Sequence, residues 1–171
     1  MDNITYTLAD INQTSIIADF RIKFLLDFGG PQPIEIQNKL REELHEYFNK
    51  HLVNNSYICY FASVDDNIAG IGGMKVIEYP GGFKNLQGKR GYIMNMYTSP
   101  EFRKKGICST ILKKLMETAN NMGIYSFELH ATKEGEPVYI KQGFEKHDEP
   151  TYRKWDEAQL NNSFNPSPVV F

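Results

Sequence analysis

Thr98-Ser-Pro-Glu-Phe-Arg-Lys-Lys-Gly-Ile-Cys-Ser-Thr110 is the stretch on which the fold turns. A β-branched and aromatic run, Tyr92-Ile-Met-Asn-Met-Tyr-Thr98, leads into it and stops at Ser99-Pro100. Arg103, Lys104, Lys105 and Gly106 follow as a loop. Cys108, Ile111, Leu112, Leu115, Met116 and Ala119 then step by three and four residues, the spacing of one helix face. Gly123 stands where a left-handed residue ends a helix. The first turn of such a helix carries unpaired N–H groups and the positive end of the macrodipole, so it suits a diphosphate. Gly106 lets the backbone approach an anion with no Cβ between, and Ser109 and Thr110 add hydroxyls. A cation run alone reads as solvated surface. The Pro, the Gly and the amphipathic helix in register with it favour an anion site. The pattern is neither GxxxxGK[ST] nor GxGxxG, which disfavours a P-loop or a dinucleotide fold.

Beyond that helix, Tyr125-Ser-Phe-Glu-Leu-His130 reads as a strand, giving strand, helix, strand and hence a crossover. Residues 137–142 predict a short helix ended by Gly143, and 144–147 with 152–155 predict a last hairpin. Upstream, 57–64 and 68–79 form a hairpin around the turn residues Asp65, Asp66 and Asn67. The glycines of its second strand mark a bulge or a close backbone approach. Residues 80–91 form a loop. Before the hairpin, Asp10 caps a first helix, Gly and Pro in 28–33 break it, and 34 to about 53 is a second helix. This order predicts an α/β (α+β) fold, a sheet covered by helices. The domain spans 1–155, and the Asn- and Pro-rich residues 156–171 read as a tail.

The 171 residues suffice for one buried core, with 41% hydrophobic and 23% charged residues as in ordinary globular chains. A net charge of -2 gives no field for nucleic acid or an anionic membrane, so neither is an expected partner. Cys59 and Cys108 form no metal or disulfide pattern, which favours a reducing compartment. With no signal-like start and no run of roughly 18 apolar residues, a cytoplasmic location is expected. His45, His51 and His147 lack a partner pattern, so no metal is expected. Tyr57, Tyr60 and Phe61 read as core.

On these residues the chain resembles the GCN5-related N-acetyltransferase superfamily. Its motif Arg/Gln-x-x-Gly-x-Gly/Ala stands here as Arg103-Lys-Lys-Gly106-Ile-Cys108. A second element, apolar-Tyr-x-x-x-Gly-Phe, stands as Val138-Tyr139-Ile-Lys-Gln-Gly143-Phe144. The resemblance implies the acyl-CoA N-acyltransferase fold: a mixed, bent, mostly antiparallel sheet flanked by helices, split between the strands near 92–98 and 125–131. Acetyl-CoA enters the split as cosubstrate. Backbone groups of Met96, Tyr97 and Thr98 pair with the pantetheine arm. The loop Arg103, Lys104, Lys105, Gly106, Ile107, Cys108 and Ser109 holds the pyrophosphate, and Thr132 stands where the family often has Asn. Tyr139 protonates the leaving thiolate, since a phenol of pKa about 10 matches a thiol's basicity. Cys108 replaces the usual Gly or Ala with another small side chain.

The implied reaction is direct attack of a neutral amine on the thioester in a ternary complex. Met94 stands where many members carry a glutamate, so the base is sought at Glu78, Glu128 or His130. Asn95 orients substrate or a water through its amide. Arg21, Asp27 and Phe28, beside the break between the first two helices, line the acceptor pocket. Glu78 and His130 are counted with the substrate side. The acceptor is a small-molecule or peptide amine, and a homodimer through a sheet edge is compatible with the sequence. The rival reading is a non-catalytic acyl-CoA-binding module, for which the missing glutamate speaks.

Overall fold

The computed structural model describes residues 3–154, so the tail expected at 156–171 lies outside the described residues. The chain divides into two compact units, Met1–His130 and Ala131–Phe171.

The first unit holds a five-stranded sheet in the order β1-β2-β3-β4-β5, with β1 Ile4–Leu8, β2 Tyr57–Val64, β3 Asn67–Glu78, β4 Lys89–Thr98 and β5 Phe127–Leu129. Neighbours are antiparallel except β4 and β5, which run parallel across the helix α3, Ile107–Asn121. Helices α1, Thr14–Gly29, and α2, Ile34–Val53, lie between β1 and β2 in the chain. The mixed, mostly antiparallel sheet with flanking helices is the expected fold.

Local chemistry explains these elements. Asp65 and Asp66 both take left-handed φ, 46° and 65°, which closes the β2–β3 hairpin with the twist that antiparallel strands need. Asp10 and Gln13 form a reciprocal capping box on a single 3-10 turn, so α1 starts at Thr14 rather than at Asp10. At its other end α1 runs through Phe28 to Gly29, and Gly30 at φ 82° stops it. The second strand-to-helix unit is built as read, with Gly123 at φ 76° behind α3.

The period-two alternation of β2 gives the sheet two unlike faces. Tyr57, Cys59 and Phe61, with Ile71 of β3, join Ile17, Ala18 and Phe20 of α1 and Phe48 of α2 in one core. Tyr60 points the other way, and its hydroxyl meets Thr118 of α3 at 2.9 Å. The buried stripe of α3 is Ile107, Ile111, Leu112, Leu115 and Ala119, each large member stabilising by roughly 1.5–3 kcal/mol. Close approach of α3 depends on Gly72, where a Cβ would stand 2.4 Å from Ile111 Cγ2. The glycines of β3 therefore mark close packing, as expected.

One strand lies beyond the expectation, and one expectation fails. β1 was not anticipated: a five-residue Thr-rich edge strand carries little hydrophobic signal until β2 is present to pair with it. The hairpin at 144–155 is not formed, since residues 144–154 contain no strand and Trp155 lies outside the described residues. Its segments are too short and too polar to hold a ladder without a buried face. In the second unit, α4 spans Glu136–Lys141, and Gly143 at φ 86° follows it as its terminator. Among the described residues no helix is long and apolar enough to cross a membrane.

Candidate active site

The site begins where two parallel strands part. β4 and β5 are in register at Gly91–Phe127, Tyr92–Glu128 and Ile93–Leu129, and the pairing ends there. β4 continues to Thr98 on β3 alone. Its register on β3 slips opposite Gly72, between the pairs Met94–Gly73 and Tyr97–Ile71. Asn95 sits in that slip at φ 55°, a left-handed conformation that costs a non-glycine residue about 1–3 kcal/mol.

Asn95 is buried, and its Nδ2 donates to the Tyr57 hydroxyl at 2.8 Å. Its Oδ1 is buried with no hydrogen-bond partner among the described residues, at a cost of about 1–3 kcal/mol. Burial pushes the Tyr57 phenol well above its ordinary range, more than the Asn95 bond and the Arg21 charge pull it down. Arg21 lies on α1 with its guanidinium over Phe24, 5.4 Å from the ring centroid. Burial lowers its pKa, opposed by the phenols of Tyr57, Tyr92 and Tyr47. The Tyr92 hydroxyl is 2.6 Å from His130 Nδ1. Asn95 is thus bonded to Tyr57 and His130 to Tyr92, while Arg21 feels the phenols of both.

At the far end of β4 the chain turns once at Pro100–Phe102 and enters the loop. Lys104 takes φ 63°, and Gly106 takes φ 80° as N-cap of α3 with no side-chain cap bond. The first α3 amide bonded to backbone is Thr110 N–H, which donates to the Gly106 carbonyl at 3.0 Å. Thr110 also returns its hydroxyl to that carbonyl at 3.2 Å. The N–H groups of Ile107, Cys108 and Ser109 have no cap or turn partner among the described residues, as expected of a helix start. Among the described residues a Cβ on Gly106 would meet nothing within 4 Å, so glycine is favoured there by φ and the space above it is open. An uncapped donor set with open space above it fits a diphosphate. Burial pushes the Cys108 thiol up to about 11.

The remaining candidates fall elsewhere. Arg103 is braced: Nε donates to the Thr98 carbonyl at 2.9 Å and Nη2 reaches Asp27 Oδ2 at 3.3 Å. Asp27 Oδ2 also accepts from the Tyr97 hydroxyl at 2.8 Å. Burial first, then this carboxylate, pushes the Tyr97 phenol up to about 12. Asp27 thereby ties α1 to the end of β4 and the loop. Phe28 stacks on Phe24 with centroids 6.0 Å apart. Glu78 pairs with Lys89 at 3.7 Å, at the opposite end of β4 from the loop. Glu128, whose partner in register is Tyr92, forms an ion pair with Arg90 of β4. In the second unit, Thr132 Oγ1 accepts from Gly135 N–H at 3.1 Å. There Tyr139 is buried, edge-on to Phe144 at 6.0 Å. The hydroxyl contacts of Tyr57 with Asn95 and of Tyr92 with His130 were not anticipated from the sequence. The available signal was Asn95 itself, an αL-tolerant residue in a strand facing a Gly-Gly pair.

A model of the acetyltransferase (GNAT) family matches residues 23–144. The chain belongs to the GNAT family. Among solved structures it is similar to a predicted acetyltransferase of Clostridium acetobutylicum with acetyl-CoA, at 32% identity and TM-score 0.81 over 95% of this chain and 100% of that one. A GCN5-related N-acetyltransferase of Ralstonia eutropha JMP134 matches at 22% identity and TM-score 0.78, covering 89% and 99%. The fold is shared with glucosamine-6-phosphate N-acetyltransferase of Arabidopsis thaliana, at 18% identity and TM-score 0.63, covering 91% and 100%. No curated protein matches the sequence significantly. GNAT membership carries the general chemistry of acyl transfer from acetyl-CoA and agrees with the parting of β4 from β5 and the uncapped α3 start.

Proposed function

We propose that this GNAT member transfers an acetyl group from acetyl-CoA to a primary amine of a small-molecule or peptide acceptor. The observation that carries the reading is the course of β4. It leaves β5 at Ile93, runs on to Thr98, and delivers the chain directly to the left-handed Gly106 and the uncapped start of α3. One continuous stretch thus offers an open strand edge for an amide-bearing arm and a helix N-terminus for its diphosphate. In this reading Met96, Tyr97 and Thr98 pair with pantetheine. The amides from Lys104 to Ser109 take the pyrophosphate, Lys104 and Lys105 raise the local potential, and Thr132 completes the cofactor side.

The amine nitrogen attacks the thioester carbonyl carbon, the C–S bond breaks, and the thiolate takes a proton from Tyr139. Met94 is packed against the core under α1 and α2, so β4 supplies no carboxylate there. Glu78 and Glu128 are each paired with a cation. His130, held by Tyr92, is the base we assign, and it passes the amine proton to solvent. Arg21 lies on the acceptor side. The test is thiol release from acetyl-CoA with a panel of polyamines, amino acids, aminoglycosides and peptides. Turnover with at least one amine is expected. CoA binding without turnover across the panel would support the acyl-CoA-binding module instead.

A further inference from the structure

Three features converge on one phenolic oxygen. Tyr57 is 2% exposed, with its ring 4.9 Å from that of Phe48. Gly73 leaves it room: a Cβ there would stand 1.9 Å from the Tyr57 hydroxyl. Asn95, 3% exposed, gives that hydroxyl its Nδ2 while holding φ 55° in the slipped register of β4. Its Oδ1 stays buried and without a partner among the described residues. A core selected for stability alone would carry Phe at 57 and an extended residue at 95. Here a strained backbone, an unpaired buried oxygen and a space-making glycine are kept together, in the residues where β4 parts from β5.

We infer that Tyr57 and Asn95 are positioning residues for acyl transfer, the Tyr57 hydroxyl fixing the Asn95 amide and the amide fixing the kink of β4. The inference rests on the acyl-transfer reading above and adds a β2 residue to it. The kink sets where Met96, Tyr97 and Thr98 present their backbone, and so where the thioester lies relative to the amine. Displacement of reacting atoms by about 1 Å lowers turnover severely. The diphosphate grip lies farther along the chain at Gly106 and does not depend on this pair. The brace therefore acts mainly on turnover and only weakly, through the pantetheine arm, on CoA affinity.

Tyr57→Phe removes only the oxygen. Asn95→Gly keeps the left-handed backbone, which glycine adopts freely, and removes the amide. Each variant and the double variant would be measured for CoA affinity by calorimetry, melting temperature, and kcat for thiol release with the panel's most active amine. We expect kcat to fall about tenfold in each, CoA affinity to stay within about twofold, and the double variant to be no worse than Asn95→Gly, as for residues acting in series. A Tyr57→Phe enzyme with wild-type kcat overturns the brace. So does a loss of kcat matched by equal losses of CoA affinity and melting temperature, which marks plain core packing. A wild-type chain that neither binds CoA nor releases thiol overturns the acyl-transfer reading and the brace together.

Discussion

The two ends of the stretch from Met94 to Ser109 hold their shape by opposite means. At the acyl end, Asn95 and Tyr57 are buried and joined by one hydrogen bond, and single atoms decide the geometry. At the proposed anion end the backbone offers the donors. A Cβ on Gly106 would meet nothing within 4 Å among the described residues, the N-cap of α3 has no side-chain bond, and the nearby Arg103–Asp27 bond is half-exposed. Exposed ion pairs contribute only about 0–1 kcal/mol, so the loop's shape comes from φ at Lys104 and Gly106 rather than from that bond. The contrast separates two kinds of sensitivity. The anion end responds to charge and to backbone conformation, the acyl end to the loss of individual groups.

The largest effect is expected at the anion end. Gly106→Glu puts a carboxylate into the open space, adds a side chain at φ 80°, and should weaken CoA binding at least about 100-fold, some 2.7 kcal/mol. Calorimetry giving normal affinity would remove the diphosphate from this loop. Next comes the proposed acid: Tyr139→Phe should lower kcat by about 100-fold with CoA affinity intact. Unchanged turnover would transfer the acid role elsewhere and blunt the contrast.

A glycine pair sharpens the comparison through stability. Gly72→Ala drives a methyl to 2.4 Å from Ile111 and 2.5 Å from Met96, and should cost about 1–3 kcal/mol in denaturant unfolding. Gly106→Ala meets no atom and should cost only the left-handed penalty, about 1–2 kcal/mol. Equal Tm with alanine at 72 would mean that α3 can back away from β3. The smallest effect concerns Cys108. Its pKa is raised above the ordinary value, to about 11, so the thiol stays protonated below that pH and the thiolate fraction grows as pH rises towards it. Iodoacetamide labelling at neutral pH should therefore be slow, quicken with rising pH, and slow further with CoA present. Fast labelling that ignores CoA would place the thiol outside the loop.

Much of this was legible in the chain. α2 and β2 fall within the bounds that apolar spacing gives, because a helix stripe and a β-branched run are local signals. Gly106, Gly123 and Gly143 take φ 80°, 76° and 86°, the conformation that their places before or after helices call for. The site was legible only as a set of parts. Arg103 read as a phosphate cation, yet its guanidinium is engaged with Asp27, a residue 76 positions away. Asn95 read as a group facing substrate, yet its amide is turned into the core towards Tyr57, 38 positions away. Tyr57 read as plain core, and it is core, but with a hydroxyl that has a polar partner.

The residues alone gave most of the elements though not β1, the glycine start of α3 and the family motifs, because caps, breakers and periodicity act within a few residues. Only the tertiary structure decided the rest: where β4 leaves β5, which way Asn95 faces, and which carboxylates are already paired. Those depend on strands and helices far apart in sequence meeting across the sheet, where a register slip of one residue turns a side chain from the cleft to the core.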